Sequence, residues 1–394
     1  MTQTNHPFLS LKEGRWFKLI CGASYQNLPA IRNLALAYTL AGADCVDVAA
    51  DPAVVAAVQE AFQGAAQWRK HQSRGDGETG GDPWLMVSFC DGEDPHFRKA
   101  VFDPAHCPAD CPRPCELICP ADAIAMTPVA IGVLESRCYG CGRCLPVCPI
   151  QTIHTRSTAV SPAAIAPELL PQVDAIEIHT QINREEAFLA LWHQLQPWVG
   201  HLKLLAISCP DGEGVIPYLW RLYEALQPLP IPLIWQTDGR PMSGDIGDGT
   251  THATMRLGQK VLAQGPPGFV QLAGGTNGYT VPKLHQLGWL RQKTKIAQET
   301  AIAQGSRPRF GGVAYGSYAR RLLSEVLEAD ATNSSATAPG NRRPFKLEEH
   351  PDQLQHAIAI AQHLMLPLKR PAEFLARFPV ECPVRGIGPP LPHG

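Results

Sequence analysis

Short apolar runs rich in β-branched residues alternate along the chain with longer segments whose apolar positions recur every three or four residues. A run of four to eight such residues between turn signals is typical of a buried strand. Eight runs fit this description: 17–21, 45–49, 84–89, 174–179, 203–208, 232–237, 269–273 and 310–315. Because helical segments separate successive strands, the pattern predicts right-handed βαβ units and a parallel sheet.

The helical segments carry their own start and stop signals. Asn27 is a suitable N-cap for the first of them, Gly42 is a suitable stop, and Asp51-Pro52 opens the next. The apolar stripe of the first helix is Ile31, Leu34, Ala35 and Tyr38. After the fourth strand, helical spacing is shown by Phe188, Leu191, Trp192 and Leu195. Eight such units predict a (β/α)8 TIM-like barrel, with an open doubly wound sheet as the alternative.

Cysteine usage changes this picture. The chain has 13 cysteines, and eight of them fall within 42 residues after the third strand. An odd total fits a complete disulfide framework poorly, whereas clustering at short spacing indicates metal binding. The run Cys138-x2-Cys141-x2-Cys144-x3-Cys148-Pro149 has the spacing that binds iron–sulfur clusters in bacterial ferredoxins. A zinc site or a disulfide knot is the alternative, but it does not account for eight interleaved cysteines with two Cys-Pro ends.

A looser copy of this run precedes it: Cys107-x3-Cys111-x3-Cys115-x3-Cys119-Pro120. Because the fourth cysteine of such a run binds the neighbouring cluster, the two runs predict a crossed assignment. One [4Fe–4S] cluster is then held by Cys119, Cys138, Cys141 and Cys144. The other cluster is held by Cys107, Cys115 and Cys148, with Cys111 as a candidate fourth ligand.

Cys111 marks the point where the first run departs from the usual spacing, because the gaps on both sides of it have three residues instead of two. The run resembles the first half of seven-iron ferredoxins, in which the second cysteine is not a ligand and the cluster is [3Fe–4S]. We therefore favour one [4Fe–4S] cluster and one [3Fe–4S] or labile cluster. Two [4Fe–4S] clusters are the alternative.

The cysteine-rich segment is predicted to interrupt the barrel after its third strand. Loops that follow barrel strands lie at the mouth, so the clusters are expected over the mouth. The expected division is 1–90 for barrel strands one to three, 91–158 for the ferredoxin-like insert, 159–330 for strands four to eight, 331–344 for a flexible linker and 345–394 for a closing helix with a Pro-rich tail. The helix at about 351–366 is expected to complete the barrel wall as its eighth helix.

Small residues follow strands seven and eight, where many barrels bind phosphate through backbone N–H groups and a helix N-terminus. The candidate residues are Gly275, Thr276, Asn277, Gly316, Ser317 and Arg320. This arrangement resembles the phosphate end of flavin-dependent barrel oxidoreductases, so FMN or another phosphorylated ligand is the corresponding expectation. The alternative is that the glycines only form tight turns and Ser317 only caps a helix.

Other chemistry-bearing residues give no clear catalytic set. Lys18, Glu177, His179 and Lys203 lie on or beside strands, but no spacing links them, and no catalytic residue is predicted. Three further cysteines end strands one, three and five and are candidates to converge at the mouth as redox-active thiols: Cys21, Cys90 and Cys209. A small buried apolar role is the alternative for each.

Charge and hydropathy exclude several classes of protein. The formal net charge is −2, which does not favour nucleic acid or an anionic membrane surface as a partner. No stretch approaches a charge-free membrane span, and the N-terminal residues lack the apolar region of a secretory signal. A cytoplasmic location is therefore predicted, where thiolates stay available for iron.

Residues 16–51, WFKLICGASYQNLPAIRNLALAYTLAGADCVDVAAD, together with the double cysteine run, GGTNG at 274–278 and AYGSYAR at 314–320, resemble the light-dependent period iron–sulfur family of cyanobacteria. The resemblance implies two clusters and a redox-sensing input to the circadian clock, with clock-input kinases as partners. We therefore predict an iron–sulfur sensor of cellular or photosynthetic redox state, with quinone or ferredoxin as a possible redox carrier. The alternatives are an FMN-dependent barrel oxidoreductase with a ferredoxin-type relay and a ferredoxin-like electron carrier.

Overall fold

A computed structural model of the chain describes residues 6–72, 81–92, 94–119, 121–127, 131–157, 161–240, 247–290, 310–333 and 345–377. The strands are β1 (Trp16–Gly22), β2 (Cys45–Ala49), β3 (Trp84–Cys90), β4 (Arg98–Val101), β5 (Ile124–Met126), β6 (Ile131–Val133), β7 (His154–Ser157), β8 (Ala175–His179), β9 (Leu204–Pro210), β10 (Leu233–Asp238), β11 (Phe269–Ala273) and β12 (Gly312–Tyr315). The α-helices are α1 (Pro7–Lys12), α2 (Leu28–Ala41), α3 (Pro52–Gln72), α4 (Pro114–Leu117), α5 (Cys144–Val147), α6 (Pro162–Leu169), α7 (Glu185–Leu195), α8 (Val215–Ala225), α9 (Thr251–Gln264), α10 (Thr280–Gln286), α11 (Ser317–Asn333), α12 (Pro351–Lys369) and α13 (Pro371–Arg377).

Eight parallel strands close into a barrel in the order β1-β12-β11-β10-β9-β8-β3-β2. The pairing of β1 with both β2 and β12 closes the sheet and excludes the open alternative. All eight predicted strands are present, with ends within two residues of those expected. The (β/α)8 prediction is therefore confirmed. No helix in the described parts of the chain is long and apolar enough to cross a membrane.

Local signals start and stop the helices as predicted. The Asn27 side chain accepts a hydrogen bond from the Ala30 N–H at 3.5 Å at the start of α2, and Gly42 ends this helix with a φ of +100°. The left-handed backbone at Gly42 is one that a glycine adopts without steric cost. Asp51 accepts a hydrogen bond from the Ala53 N–H at 2.8 Å and so caps α3.

The barrel interior changes from apolar to polar along its axis. At the N-terminal end, Leu11 of α1 packs with Trp16 and Trp84 in an apolar cluster that closes the floor. Side chains alternate between the two faces of a strand, so every second residue points inward. Further along the strands the buried polar side chains are Lys18, Asp47, Glu177, Gln236 and Gln271. This change in polarity places ionisable groups below the mouth.

The C-terminal region differs from the prediction. The expected helix is α12, but it is not the eighth barrel helix, because α11 already follows the eighth barrel strand. Instead α12 packs outside the barrel against α2 and α11, and Lys369 near its end forms an ion pair with buried Asp44. α11 extends into the predicted linker, and α13 lies in the predicted tail. Residues 334–344 and 378–394, the rest of these two segments, lie outside the described residues.

The cysteine-rich insert leaves the barrel after β3 and returns before β8. Antiparallel pairing of β4 with β7 brings its two ends together, and β5 pairs with β6 inside it. The insert rests on the loop after β1, where the Gln26 N–H donates to the Ser136 carbonyl at 3.0 Å. Tyr25 and Tyr139 also meet edge to face, with 6.2 Å between ring centroids. The insert is thereby held at the mouth.

Candidate metal centre and barrel mouth

The eight predicted ligand cysteines separate in space into two groups. Cys119, Cys138, Cys141 and Cys144 line one pocket, so Cys119 of the first run lies with the second run. In the other group, Cys107 interacts with Cys111 and Cys148, and Cys115 interacts with Cys107 and Cys148. The grouping is therefore crossed in the way the ferredoxin pattern leads one to expect. The ligand roles of the individual cysteines stay predictions.

The first group surrounds a cavity of about 400 Å³. The Ala100 N–H donates to Cys138 Sγ at 3.3 Å, and the Ala123 N–H donates to Cys119 Sγ at 3.2 Å. Burial, followed by the charges of the neighbouring thiols, raises the pKa of Cys144 to about 12. Four thiolates this close together would repel one another, so these thiols stay mainly protonated unless a cation such as iron lies between them.

The second group receives a different kind of stabilisation. Burial alone would raise the pKa of Cys148, but the backbone N–H groups that face its sulfur lower it below the ordinary value. These groups belong to Thr152, Ile150, Ile153 and Gln151. Such N–H···S contacts are typical of thiolates that hold iron–sulfur clusters, whose potentials they influence. Cys111 lies beside Cys107 in this group, so four thiols are available here as well.

A second pocket lies at the barrel mouth, and its empty space, including the part open to solvent, is about 750 Å³. Glu177, His179 and Asp238 line it from the strands, and Tyr139 lines it from the insert. Tyr139 also lines the cavity of the first cysteine group and directly follows Cys138 in sequence. The two cavities therefore share Tyr139 as a lining residue.

Buried charges below the mouth form one network. Lys18 Nζ lies 3.1 Å from Asp47 Oδ2 and also contacts Glu177, while His179 Nε2 lies 3.0 Å from Glu177 Oε1. Burial alone would lower the pKa of Lys18, but the two carboxylates raise it above its ordinary value. Burial would raise the pKa of Glu177, but Lys18 and His179 lower it to about 2. These contacts keep Lys18 and Glu177 charged at neutral pH.

Comparison with known proteins identifies the family. Residues 107–159 match the LdpA Fe-S cluster-binding domain, and residues 169–367 match the light dependent period A C-terminal domain. The chain is 52% identical over 367 residues to Light dependent period A of Synechococcus elongatus, covering 92% of this chain and 94% of that protein. The chain belongs to the light dependent period A (LdpA) family. This LdpA-family chain therefore carries an iron–sulfur cluster-binding domain, and the predicted resemblance is confirmed.

Solved structures resemble the LdpA-family barrel only distantly. (S)-3-O-geranylgeranylglyceryl phosphate synthase from Thermoplasma acidophilum is 10% identical with a TM-score of 0.34, over 80% of this chain and 90% of that chain. A putative dihydrodipicolinate synthetase from Pseudomonas aeruginosa is 9% identical with a TM-score of 0.27, over 92% of this chain and 84% of that chain. Likeness at this level carries no functional argument.

The cysteine sites of this LdpA-family chain fit iron–sulfur clusters. Each site offers four soft sulfur donors, and the N–H donors around them include Ala100 and Ala123. Gly140 and Gly142 have φ values of +74° and +72°, and the Arg143 N–H that follows them points to Cys141 Sγ. When bound, such clusters supply one-electron exchange.

The predicted phosphate residues of this LdpA-family chain lie at the mouth only in part. The cavity is lined by Gly275, Thr276, Gly316, Ser317 and Arg320. Asn277 does not line it, because this buried side chain donates to the Gly247 carbonyl at 2.8 Å. Arg320 donates to the carbonyls of Ile20 at 2.8 Å and Cys21 at 3.1 Å. Arg320 therefore joins α11 to the end of β1, and its role in binding phosphate stays a prediction.

Sequence reasoning left Lys18, Glu177, His179 and Lys203 unlinked. The LdpA-family barrel joins the first three, whereas Lys203 pairs with Asp174 at 2.5 Å beside the N-terminal end of β9. The signal that was missed is that every second residue of a barrel strand faces the interior. Lys18 and Glu177 each lie two residues after a floor residue and therefore face the same interior.

The three cysteines at strand ends do not line the mouth cavity. Cys21 and Cys209 are buried in the core between sheet and helices, and burial raises the pKa of Cys21 to about 12. Burial also raises the pKa of Cys90 to about 12. Thiols of this kind are mainly protonated at neutral pH, which fits the alternative interpretation as small apolar residues.

Proposed function

We propose that this protein is an iron–sulfur redox sensor that reports cellular or photosynthetic redox state to the circadian clock. The observation that carries the proposal is the pair of four-thiol groups in an insert that rests on the barrel mouth. The 52% identity to a protein named for a light-dependent period supports the connection to the clock. We assign a [4Fe–4S] cluster to the Cys119 group and a [3Fe–4S] or labile [4Fe–4S] cluster to the Cys111 group.

The residues around the first group suggest how a change of charge is transmitted. Tyr139 adjoins Cys138 in sequence, and the Arg320 guanidinium lies 4.5 Å from the Tyr139 ring centroid. Arg320 in turn binds the Ile20 and Cys21 carbonyls of β1. A change of charge among the thiolate ligands therefore alters the interaction that joins the insert to the barrel. In this proposal the insert and the barrel have two relative arrangements, and the charge of the cluster favours one of them.

Exposed apolar side chains support the insert as the surface that a partner contacts. Leu117 is 86% exposed, and Ile118 and Ile150 are also exposed. They are close in sequence to Cys115, Cys119 and Cys148, members of both thiol groups. We assign this surface to a clock-input kinase, as the family resemblance implies, while quinone or ferredoxin would supply or remove electrons.

Binding to a purified clock-input kinase tests this function. The holoprotein is prepared anaerobically, its clusters are typed by EPR during a redox titration, and kinase affinity is measured in the oxidised and reduced states. We expect affinities that differ at least about fivefold, the lower range of coupling between linked sites. The Cys119→Ser variant should bind with less dependence on redox state. Equal affinities for both states of the intact protein would contradict a sensing role.

The mouth cavity favours a second function, a flavin-linked oxidoreductase. Small residues at Gly275 and Gly316 line the mouth pocket beside the start of α11 at Ser317, where a phosphate could approach the backbone. FMN bound there would lie next to Tyr139 and could exchange electrons with the insert. Release of FMN from the denatured anaerobic holoprotein would support this function. Colour without flavin, together with no FMN uptake on reconstitution, would exclude it.

A further inference from the structure

Three metal-ligating side chains meet where the insert begins. Asp94 and His96 belong to its first turn, and His179 is the last residue of β8. One ligand atom from each of the three lies within 4.8 Å of the others. Asp94 and His179 are each 5% exposed, and the His96 side chain is 18% exposed. None of these residues belongs to the cysteine groups.

The local structure holds the three side chains in place. Asp94 Oδ1 accepts the His96 backbone N–H at 2.8 Å and lies 2.5 Å from His96 Nδ1. The His96 and His179 rings lie 4.7 Å apart between centroids. Glu177 contacts the Nε2 atom of His179 at 3.0 Å, and Phe97 packs edge-on to the same ring at 5.5 Å. A carboxylate that orients an imidazole in this way is common behind metal-binding histidines.

We propose that Asp94, His96 and His179 bind one divalent transition-metal ion at the barrel mouth, as a centre separate from the eight cysteines. Two imidazoles and one carboxylate are ligands for zinc and for first-row metals such as manganese and ferrous iron. Magnesium and calcium prefer sites made of oxygen ligands alone. The ligand chemistry therefore selects a transition metal.

The surrounding charges favour a cation. The buried carboxylates at or below the mouth include Asp47, Asp94, Glu177 and Asp238. Lys18 is the buried ammonium group that pairs with two of them, and Asp238 interacts with His96 and His179. Buried carboxylates are costly without compensating positive charge. Protons on the two imidazoles, protonation of a carboxylate such as Asp238, whose pKa burial raises, or a metal ion would each relieve this cost, and only the metal ion changes the metal content.

The position of the site suggests what the metal would do. His96 and His179 both line the mouth cavity, so a metal on them faces its interior. Three protein ligands leave coordination positions open, as in zinc sites that bind water or a substrate oxygen. The ligand class that fits is a small molecule with a carboxylate, phosphate or hydroxyl oxygen. Such a ligand would lie against Tyr139, beside the first thiol group.

Zinc binding to the anaerobic holoprotein provides the test. The protein is titrated with Zn²⁺, unbound metal is removed, and zinc, iron and sulfide are counted per chain. Zinc K-edge absorption then reports whether the ligands are nitrogen and oxygen or sulfur. The variants are His96→Gln and, as a matched control, His193→Gln, because His193 is an exposed histidine on α7. Iron and sulfide counts show whether each variant keeps its insert folded.

We expect one zinc per chain with nitrogen and oxygen ligands and with zinc–nitrogen distances of about 2.0–2.1 Å. His96→Gln should weaken zinc binding at least about tenfold with iron and sulfide unchanged, and His193→Gln should bind zinc as the parent does. Zinc bound only by sulfur, equal binding by His96→Gln, or no zinc retained by fully iron-loaded protein would each overturn the proposal. These readouts do not depend on the sensing function.

Discussion

Replacing Arg320 by Met should weaken the junction between barrel and insert. The Arg320 guanidinium donates hydrogen bonds to the Ile20 and Cys21 carbonyls at 2.8 and 3.1 Å and lies 4.5 Å from the Tyr139 ring centroid. Methionine keeps much of the side-chain length and removes both the donors and the charge. The neighbouring Arg321 is exposed and provides the matched control, Arg321→Met.

The magnitude follows from these contacts. Hydrogen bonds from a charged donor contribute roughly 1.5–3 kcal/mol each when buried. The carbonyls adjoin a cavity that water can enter, so about 1 kcal/mol each is a fairer value. A cation–π contact at a partly buried ring adds about 0.5–2 kcal/mol. We expect Arg320→Met to lower the free energy of unfolding by about 2.5–4 kcal/mol and Arg321→Met to change it by less than about 0.5 kcal/mol.

Anaerobic urea denaturation can follow the two bodies separately. All eight tryptophans lie outside 91–158, so tryptophan fluorescence reports the barrel, while visible absorbance reports the clusters in the insert. A double-mutant cycle with Tyr139→Leu isolates the contact between ring and guanidinium, which we expect to give a coupling energy of about 0.5–2 kcal/mol. Similar losses for Arg320→Met and Arg321→Met, or no coupling with Tyr139→Leu, would refute this reasoning.

Three further predictions concern the thiols and the buried charges. Cys119→Ser should lose about one cluster's iron and sulfide, whereas Cys111→Ser should keep most of both, and equal losses would argue against a weak role for Cys111. Glu177→Gln leaves Lys18 with one fewer buried carboxylate partner. We expect it to lower the free energy of unfolding by about 3–5 kcal/mol, and a loss below about 1 kcal/mol in urea denaturation would contradict this. Lys369→Met leaves the Asp44 carboxylate buried without its cation and should lower the free energy of unfolding by about 3 kcal/mol. An unchanged urea midpoint would show that this ion pair is dispensable.

Much of the fold could be read from sequence because each strand is short, apolar and bounded by turn residues. FKLIC at 17–21 and FVQLA at 269–273 are examples. The insert was equally accessible, because cysteine spacing encodes cluster geometry directly. The packing partners of α12 could not be predicted from the sequence. Its amphipathic pattern specifies a buried face, and this face packs against α2 and α11, which the pattern does not identify.

The candidate sites at the mouth were harder to predict, because they join residues distant in sequence. His96 lies in the insert and His179 ends β8, and only barrel closure and the seating of the insert bring them together. Arg320 was expected to reach a phosphate, and the sequence did not show that its guanidinium also donates to the Ile20 and Cys21 carbonyls of β1. A glycine-rich loop predicts where a backbone comes close, but it does not determine which acceptor a long cationic side chain will choose.

The pairing of β4 with β7 makes the insert a self-contained unit, because the chain leaves and re-enters the barrel at one place. Closure of the eight-stranded sheet uses no residue between those two strands. A change within the insert, such as a different cysteine spacing, can therefore alter the cluster sites without altering the strand order of the barrel.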